Sequence, residues 1–372
     1  MRRALGALIL MTTMVTAAAV AVVPAVADEA TPGQRPATEA RWQHALDDIT
    51  ATAAVGALAE VHDGRHVWRG TSGVAELGRA RPVPTRGLFR AGSITKTFVA
   101  TVVLQLVDEG RLRLADPVER WLPGVVPDGG RITVRELLDQ TSGLPDVVPT
   151  LPKPPDPAFY DNRWRTWTTE ELAQRALAQP TTGDPGAAFH YSSTNYLLLA
   201  EVVEKVTGRS YAAEVERRII RPLRLRHTSL PGTSVGIPGP HPHGYVPGPD
   251  GALVDYTRMN PSVFGAAGEL ISDAHDLDRF FAALLGGRLL PPELLGQMET
   301  PLEDSPYGLG LFVRTTTCGV TVIGHDGDAL AYQAWSYATT DLRRRVTVAI
   351  TPSFAADSDE FVDAFLARVF CS

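Results

Sequence analysis

Strand-like segments lie near both ends of this chain, and helical periodicity fills its middle. Alternating apolar runs cover residues 54–61 and 66–70, joined by the turn signal Asp63-Gly64, and further strand-like runs follow Tyr307. Between them, residues 93–298 show mostly helical spacing. This order predicts an α/β fold with one antiparallel sheet built from both termini, flanked by helices and interrupted by an inserted, mostly helical region.

The first 27 residues have the pattern of an export signal. Arg2 and Arg3 precede an apolar run, and the small-x-small sequence Ala25-Val26-Ala27 precedes Asp28. No later stretch is long and apolar enough to span a bilayer. We expect residues 1–27 to be a cleaved signal peptide and the protein to be a secreted monomer without a stable membrane anchor, with retention of the segment as the alternative.

The remaining chain, residues 28–372, is expected to form a single catalytic domain. Residues 28–92 and 305–372 would form a sheet lobe, and residues 93–304 a mostly helical lobe. The formal net charge is −7 for the whole chain and −9 without the two arginines of the leader. With no basic stretch remaining, the composition argues against a nucleic-acid partner.

The chain has two cysteines, Cys318 and Cys371. An exported protein meets oxidising conditions, so we expect them to form a disulfide between a strand and the end of the last helix. Two unpaired buried thiols are the alternative.

Lysine is rare here: of 35 basic residues only Lys96, Lys153 and Lys205 are lysines. Unlike arginine, a buried lysine can lose its proton at neutral pH. Lys96 follows Ser93 by three residues, which places both on one face of a helix. An apolar stripe follows, so Ser93 is predicted at the N-terminus of a buried helix. The pair therefore has the pattern of a nucleophile beside its base, with chance spacing as the alternative.

Two further segments join this pair. Tyr191 lies directly before a predicted helix, and Gly324-His325-Asp326-Gly327 ends a predicted strand. Together these segments resemble the serine β-lactamase and D-alanyl-D-alanine carboxypeptidase family, in the branch with Ser-x-x-Lys, Tyr-x-Asn and His-x-Gly motifs. The cysteine positions look most like the secreted D-alanyl-D-alanine carboxypeptidases.

Three supporting segments resemble the same family. They are Leu137 to Pro145, Gly265 to Ser272 and Tyr307 to Gly310. Two positions depart from the family pattern: Gln140 stands where histidine is usual, and Ser193 stands where the Tyr-x-Asn motif has asparagine. Serine lacks the amide carbonyl that would accept a hydrogen bond from a substrate.

The resemblance implies a β-lactamase/transpeptidase-like fold and a role for each motif. Ser93 would attack a carbonyl and form an acyl-enzyme, while Lys96 and Tyr191 exchange its proton, with either as the base. His325 would add a hydrogen-bond donor beside Tyr191. The backbone amides of Ser93 and Asp328 would form the oxyanion hole. No cofactor or metal is expected.

The function implied is a D-alanyl-D-alanine carboxypeptidase-like peptidase of cell-wall stem peptides, with β-lactams as covalent ligands. The resemblance leaves three alternatives open: a transpeptidase, a β-lactamase-like esterase or amidase, and a non-catalytic binder of cell-wall peptides. The intact Ser93, Lys96 and Tyr191 favour an enzyme, because a binder has no need of a lysine that can lose its proton.

Residues near the His-x-Gly strand bear on substrate choice. Asp326 and Asp328 flank Gly327, where relatives have hydroxyl groups that hold a substrate carboxylate. Phe312 lies where we expect the family's arginine, and Arg314 follows on the same face. Two carboxylates there would disfavour a C-terminal carboxylate, which is the basis for considering substrates without one. Together with Ser193, these residues are the candidate substrate-binding set.

Two other patterns are weaker. Gly232-Thr233-Ser234-Val235-Gly236 matches a nucleophile elbow, but no buried strand precedes it. His241 and His243 could supply two metal ligands, but their proline-rich loop offers no clear third ligand. We interpret both as surface loops.

Overall fold

The computed structural model describes residues 35–371. The strands are β1 (Ala54–Asp63), β2 (His66–Gly73), β3 (Phe89–Arg90), β4 (Tyr245–Pro247), β5 (Leu253–Asp255), β6 (Ile271–Ser272), β7 (Phe312–Thr315), β8 (Thr321–Asp328), β9 (Gln333–Thr339) and β10 (Arg344–Pro352). The helices are α1 (Arg35–Thr52), α2 (Ile94–Asp108), α3 (Val134–Leu138), α4 (Pro157–Asp161), α5 (Thr169–Leu177), α6 (Ser193–Thr207), α7 (Tyr211–Val215), α8 (Arg221–Leu223), α9 (Ala274–Leu285), α10 (Pro292–Glu299) and α11 (Ser358–Phe370).

The central sheet is built from both ends of the chain, as predicted. Its order is β2-β1-β10-β9-β8-β7, and every neighbouring pair is antiparallel. The junction between the two halves is the pairing of β1 with β10, where Ala59 lies opposite Val348. The intervening chain supplies most of the helices.

Helices cover both faces of this sheet. Along β1, Ala57 and Ala59 pack in one apolar cluster with residues of α1 and α11, whereas Leu58 packs in the other with α2 and α9. Because both faces are covered, β1 is buried from Ala54 to Val61 and its sequence is almost continuously apolar. Helix α2 thus packs on one face of the sheet.

Strand boundaries differ from the sequence prediction near the active site. The run predicted from Leu309 enters the sheet only at Phe312, because Gly310 has a φ of 91°, which leaves the extended conformation. The Asp63-Gly64 hairpin is confirmed, with β1 paired to β2 and a φ of 59° at Gly64. The pairs β3–β6 and β4–β5 were not predicted.

The segment predicted to be a signal peptide lies outside the described residues. Within residues 35–371, no helix combines the length and apolar character needed to cross a membrane.

The predicted disulfide between Cys318 and Cys371 is present. It links the turn between β7 and β8 to the residue after α11, 53 positions along the chain. Closing a loop of this length in the unfolded chain stabilises the fold by ~4 kcal/mol in the chain-entropy model.

Reduction of this disulfide should lower the thermal midpoint by several degrees without abolishing turnover at lower temperature, because the bond joins the periphery of the fold. Thermal melts with and without reductant measure the effect. A Cys318→Ser/Cys371→Ser variant is the control and should melt at the reduced midpoint under both conditions. A wild-type melt that ignores reductant would contradict this assignment.

Candidate active site

Ser93 lies at the N-terminus of the buried helix α2, where the sequence placed it. It directly precedes Ile94, and its hydroxyl makes no capping hydrogen bond to the helix. The Lys96 amine instead lies 3.0 Å from the Ser93 hydroxyl oxygen, one helical turn further on. The hydroxyl is therefore free to act as a nucleophile beside a base.

Lys96 is fully buried. Its amine donates to the Ala267 carbonyl at 2.8 Å as well as to Ser93. Burial lowers the pKa of Lys96 to about 7, although the charges of Asp146 and Asp326 raise it. A large fraction of the amine is therefore neutral near pH 7 and can accept the Ser93 proton.

Tyr191 completes this group. The Lys96 amine lies 4.9 Å from the centre of its ring. Burial raises the pKa of Tyr191 well above its usual value, and a hydrogen bond with Ser93 only partly opposes this shift. The phenol stays protonated, so the arrangement suits Lys96 as the proton acceptor and Tyr191 as a donor to a leaving group.

His325 contacts Tyr307, a residue whose importance the sequence did not reveal. Its Nε2 accepts a hydrogen bond from the Tyr307 hydroxyl at 2.9 Å, and its Nδ1 donates to the Asp326 carbonyl. Burial lowers the pKa of His325 to about 4, so the ring is neutral. With both nitrogens occupied, His325 supports Tyr307, whose ring packs edge-on against Tyr191, instead of donating to Tyr191 as we expected.

The backbone of β8 approaches the Ser93 amide closely. A methyl group on Gly327 would lie 2.0 Å from the Ala91 carbonyl oxygen and 2.8 Å from the Ser93 nitrogen. One on Gly92 would lie 2.6 Å from the Asp328 nitrogen. The Ser93 and Asp328 amides are thus close neighbours, as an oxyanion hole requires.

The two acidic side chains flanking Gly327 are not free in the cleft. Asp326 accepts hydrogen bonds from Arg314 at 3.0 Å and Tyr337 at 2.9 Å. Asp328 accepts from the Leu330 amide at 2.6 Å and from the Gln333 side chain at 3.1 Å. Arg314 therefore offsets the repulsion of a substrate carboxylate that we expected from Asp326, whereas the partners of Asp328 are neutral and do not cancel its charge.

A cavity of about 590 Å³ opens beside the nucleophile. Of the predicted site residues, Ser93, Tyr191, Ser193 and Asp328 line it. Lys96 is buried and does not line it. Phe312 and Arg314 lie outside the lining: Arg314 stacks on the Phe312 ring at 4.3 Å, and that ring is nearly parallel to Tyr191.

Asp146 is a cavity residue that the sequence analysis missed. Its Oδ1 accepts from the Ser193 amide at 3.0 Å and from the Val148 amide at 3.3 Å. It lines the cavity together with Ser93. The available signal was its position directly after the Thr-Ser-Gly-Leu-Pro stretch, at the start of a proline-rich loop.

Comparison with known proteins agrees with this geometry. Residues 42–369 match the family model described as Beta-lactamase. The chain belongs to the beta-lactamase family. Penicillin-binding protein 4 of Amycolatopsis lactamdurans is 31% identical over 255 residues, covering 66% of this chain and 63% of that protein. Esterase EstB of Burkholderia gladioli is 35% identical over 185 residues, covering 46% of each.

This member of the beta-lactamase family spans about half the length of the curated relatives that it matches. Two solved structures match over nearly their whole length. A D-stereospecific amidohydrolase from Streptomyces sp. is 42% identical, with a TM-score of 0.83 over 90% of this chain and 98% of that one. D-amino acid amidase from Ochrobactrum anthropi SV3, complexed with L-phenylalanine amide, is 26% identical, with a TM-score of 0.79 over the same shares.

Acylation should rise with pH through about 7, because the neutral form of Lys96 accepts the proton and its pKa is lowered to about 7.

The Lys96→Arg variant should lose ~10⁴-fold or more in kcat/KM, since arginine keeps its proton. The pH profile of kcat/KM on an activated ester measures both effects. A profile flat from pH 5 to 9, or near-normal turnover by the arginine variant, would exclude Lys96 as the base.

Gly327→Ala should reduce kcat by ~10²–10³-fold, because the added methyl group displaces β8 from the Ser93 amide and disrupts the oxyanion hole. Stopped-flow acylation measures the loss. Gly296→Ala is the matched control, because that glycine has open space around it. Equal acylation rates in both variants would contradict the proposed oxyanion hole.

Proposed function

We propose that this protein is a serine amidohydrolase that transfers the acyl part of D-aminoacyl amides, esters or short peptides with a free amino group to Ser93. The single observation that carries this proposal is the Asp146 carboxylate in the cavity. The amidohydrolase and amidase among its structural relatives support it, since the first is named as D-stereospecific and the second for D-amino acid substrates.

Asp146 lies beside Ser193, the residue that stands where the family pattern has asparagine. In the family pattern, the Tyr-x-Asn side chain would offer a neutral carbonyl near the substrate amide. Here Ser193 offers only a hydroxyl, while its backbone amide fixes Asp146 Oδ1. Both hydrogen bonds of this carboxylate go to Oδ1, so Oδ2 can accept from a substrate. A carboxylate favours an ammonium group over a neutral amide.

The reaction follows from the distances. Ser93 attacks the substrate carbonyl as its proton passes to Lys96, 3.0 Å away. The Ser93 and Asp328 amides stabilise the developing oxyanion. The proton then reaches the leaving nitrogen through the phenol of Tyr191, and water hydrolyses the acyl-enzyme by the same groups in reverse.

A D-alanyl-D-alanine carboxypeptidase acting on cell-wall stem peptides is the second candidate. The pairing of Asp326 with Arg314 favours it, because it removes one charge that would repel a C-terminal carboxylate. The penicillin-binding relatives favour it as well. The same pairing also occupies Arg314, the cation that would hold that carboxylate, so we rank this candidate below the amidohydrolase.

We also propose that the protein is exported. The pattern of residues 1–27 supports this, and the disulfide between Cys318 and Cys371 suits an oxidising compartment.

A substrate panel on the purified chain tests the proposal. D-phenylalanine amide, its L enantiomer and an acyl-D-Ala-D-Ala peptide are compared by kcat/KM, and Ser93→Ala defines the background. We expect the D-amide to be the best substrate. A preference for acyl-D-Ala-D-Ala would select the carboxypeptidase, and absence of Ser93 acylation by all substrates and by a β-lactam would select a non-catalytic binder.

Asp146→Asn should lower kcat/KM for D-phenylalanine amide by ~10- to 100-fold, because a charge-assisted hydrogen bond of ~1.5–3 kcal/mol is lost. N-acetylation of the substrate should abolish the difference between the two proteins. Asp48→Asn makes the same charge change on α1, across the sheet, and is the control. An equal loss on acetylated and free substrates would show that Asp146 does not bind the ammonium group.

A further inference from the structure

The cavity is much larger than a single D-amino acid side chain requires. Its volume is about 590 Å³, whereas an apolar cavity of ~150 Å³ suffices to hold benzene. A phenylalanine side chain would therefore fill about a quarter of it. The remaining space must hold water or another part of the substrate.

Most of the residues that line this space are apolar. They include Leu151, Phe159, Trp167, Tyr256, Met259 and Phe264. Phe159 stacks on Tyr256 with ring centres 4.7 Å apart, which makes one wall flat and aromatic. Water finds few hydrogen-bond partners beside such walls, so an apolar substrate group is the better occupant of this space.

Two polar residues of the same walls, Asn260 and Arg163, are engaged by the protein. The Asn260 amide donates to the Trp164 carbonyl and to Thr166, and its oxygen accepts from the Ser262 amide. The Arg163 guanidinium lies between the rings of Trp164 and Tyr256, 4.7 Å from each, and donates to the Arg258 carbonyl. These contacts leave the aromatic surface as the main feature presented to a ligand.

Apolar side chains continue onto the surface around the cavity mouth. Residues 35–371 include six large apolar side chains that are clearly exposed. Val148 and Phe354, 43% and 47% exposed, line the cavity, and Trp164, 54% exposed, stacks on the cavity residue Arg163. Two members of this exposed apolar set thus line one opening, and Trp164 is linked to it through Arg163, which is typical of a ligand site.

The backbone holds two bulky residues at this mouth in an unfavourable conformation. Leu330 has a φ of 66° and Phe354 a φ of 58°, and both line the cavity. The Asp328 side chain accepts a hydrogen bond from the Leu330 amide, which fixes the backbone of Leu330. Asp328 also accepts from the Gln333 side chain, and Gln333 in turn accepts from Ser358, four residues after Phe354. Strain of this kind persists where surrounding contacts impose it, and it concentrates at ligand sites.

We propose that this cavity and its rim of Val148 and Phe354 form an acyl-group site for large apolar substituents, at least two aromatic rings long. One step of this proposal rests on the proposed function, namely the assignment of the cavity to the acyl side of the substrate. Asp146 and Ser193, which would hold the substrate amino group, line the same cavity. The preferred substrates are then D-aminoacyl amides or esters with extended aromatic side chains.

Two substrate series test this site. The first consists of p-nitroanilides of D-alanine, D-phenylalanine and D-biphenylalanine; the second consists of p-nitrophenyl acetate, phenylacetate and biphenylacetate. In both series kcat/KM should rise by about tenfold or more for each added ring. A third set holds D-phenylalanine constant and enlarges the leaving group, and it should show no comparable rise.

Variants of the rim provide the residue-level test. Val148→Ser/Phe354→Ser should lower the ratio of biphenyl to methyl substrates by roughly fivefold or more. Leu302→Ser is the control, because Leu302 is equally exposed at 46% and does not line the cavity. This control should leave the ratio unchanged.

The outcomes separate the two proposals. Hydrolysis of the esters with the expected size preference, but of no D-anilide, would reject the D-aminoacyl function and keep the acyl site. Equal rates across both size series, a rise only in the leaving-group set, or an unchanged ratio in the rim variant would overturn the acyl site. Absence of Ser93 acylation by any ester would overturn both.

Discussion

The burial of Lys96 without a carboxylate in contact governs this active site. Its amine is removed from solvent, and its hydrogen-bond partners are a hydroxyl and a carbonyl, neither of which carries charge. The desolvation of an ammonium group is costly, and this cost makes the neutral amine accessible near pH 7. Arginine, which supplies almost all other positive charge in the chain, could not respond in this way.

Several elements of the fold exist to maintain that environment. Helix α2 lies almost wholly within the apolar core, so Lys96 has no path to solvent along its own helix. The turn before β6 presents the Ala267 carbonyl to the amine. The charges of Asp146 and Asp326 oppose the desolvation, which keeps the pKa of Lys96 near 7 instead of letting it fall further. The reactivity is therefore a balance between burial and two distant carboxylates.

Three carboxylates near the site differ in what holds them. Asp326 is paired with an arginine, and Asp328 binds a backbone amide and a glutamine. Asp146 binds backbone amides alone, through one oxygen. Of the three, it is Asp146 that combines a free oxygen with a position in the cavity lining, and an ammonium group is the natural complement for it. This distinction, more than net charge, separates an amino-terminal from a carboxy-terminal specificity.

The sequence sufficed for the parts of this molecule that depend on local pattern. Periodicity predicted a sheet built from both termini, and the three-residue spacing correctly placed the Lys96 amine beside the Ser93 hydroxyl. The roles of Asp326 and His325 were harder to predict, because their partners Arg314 and Tyr307 come from a neighbouring strand and the loop before it. Their side-chain directions depend on a register that begins only at Phe312. Asp146 was missed because its loop is positioned by contacts with α6, which no local pattern encodes.

Gln140 shows how a departure from the family pattern can still serve the chemistry. It is fully buried with a φ of 66°, and its Oε1 accepts from the Ser192 amide at 3.1 Å and from Asn195 at 2.6 Å. The backbone directly after Tyr191 is thereby fixed, while Tyr307 and Phe312 hold the Tyr191 ring. Histidine, usual at this position, could change its charge near neutral pH, whereas glutamine cannot. Gln140 therefore adds no change of charge beside Tyr191 over the range in which Lys96 titrates, which removes one competing cause of a pH dependence of acylation in that range.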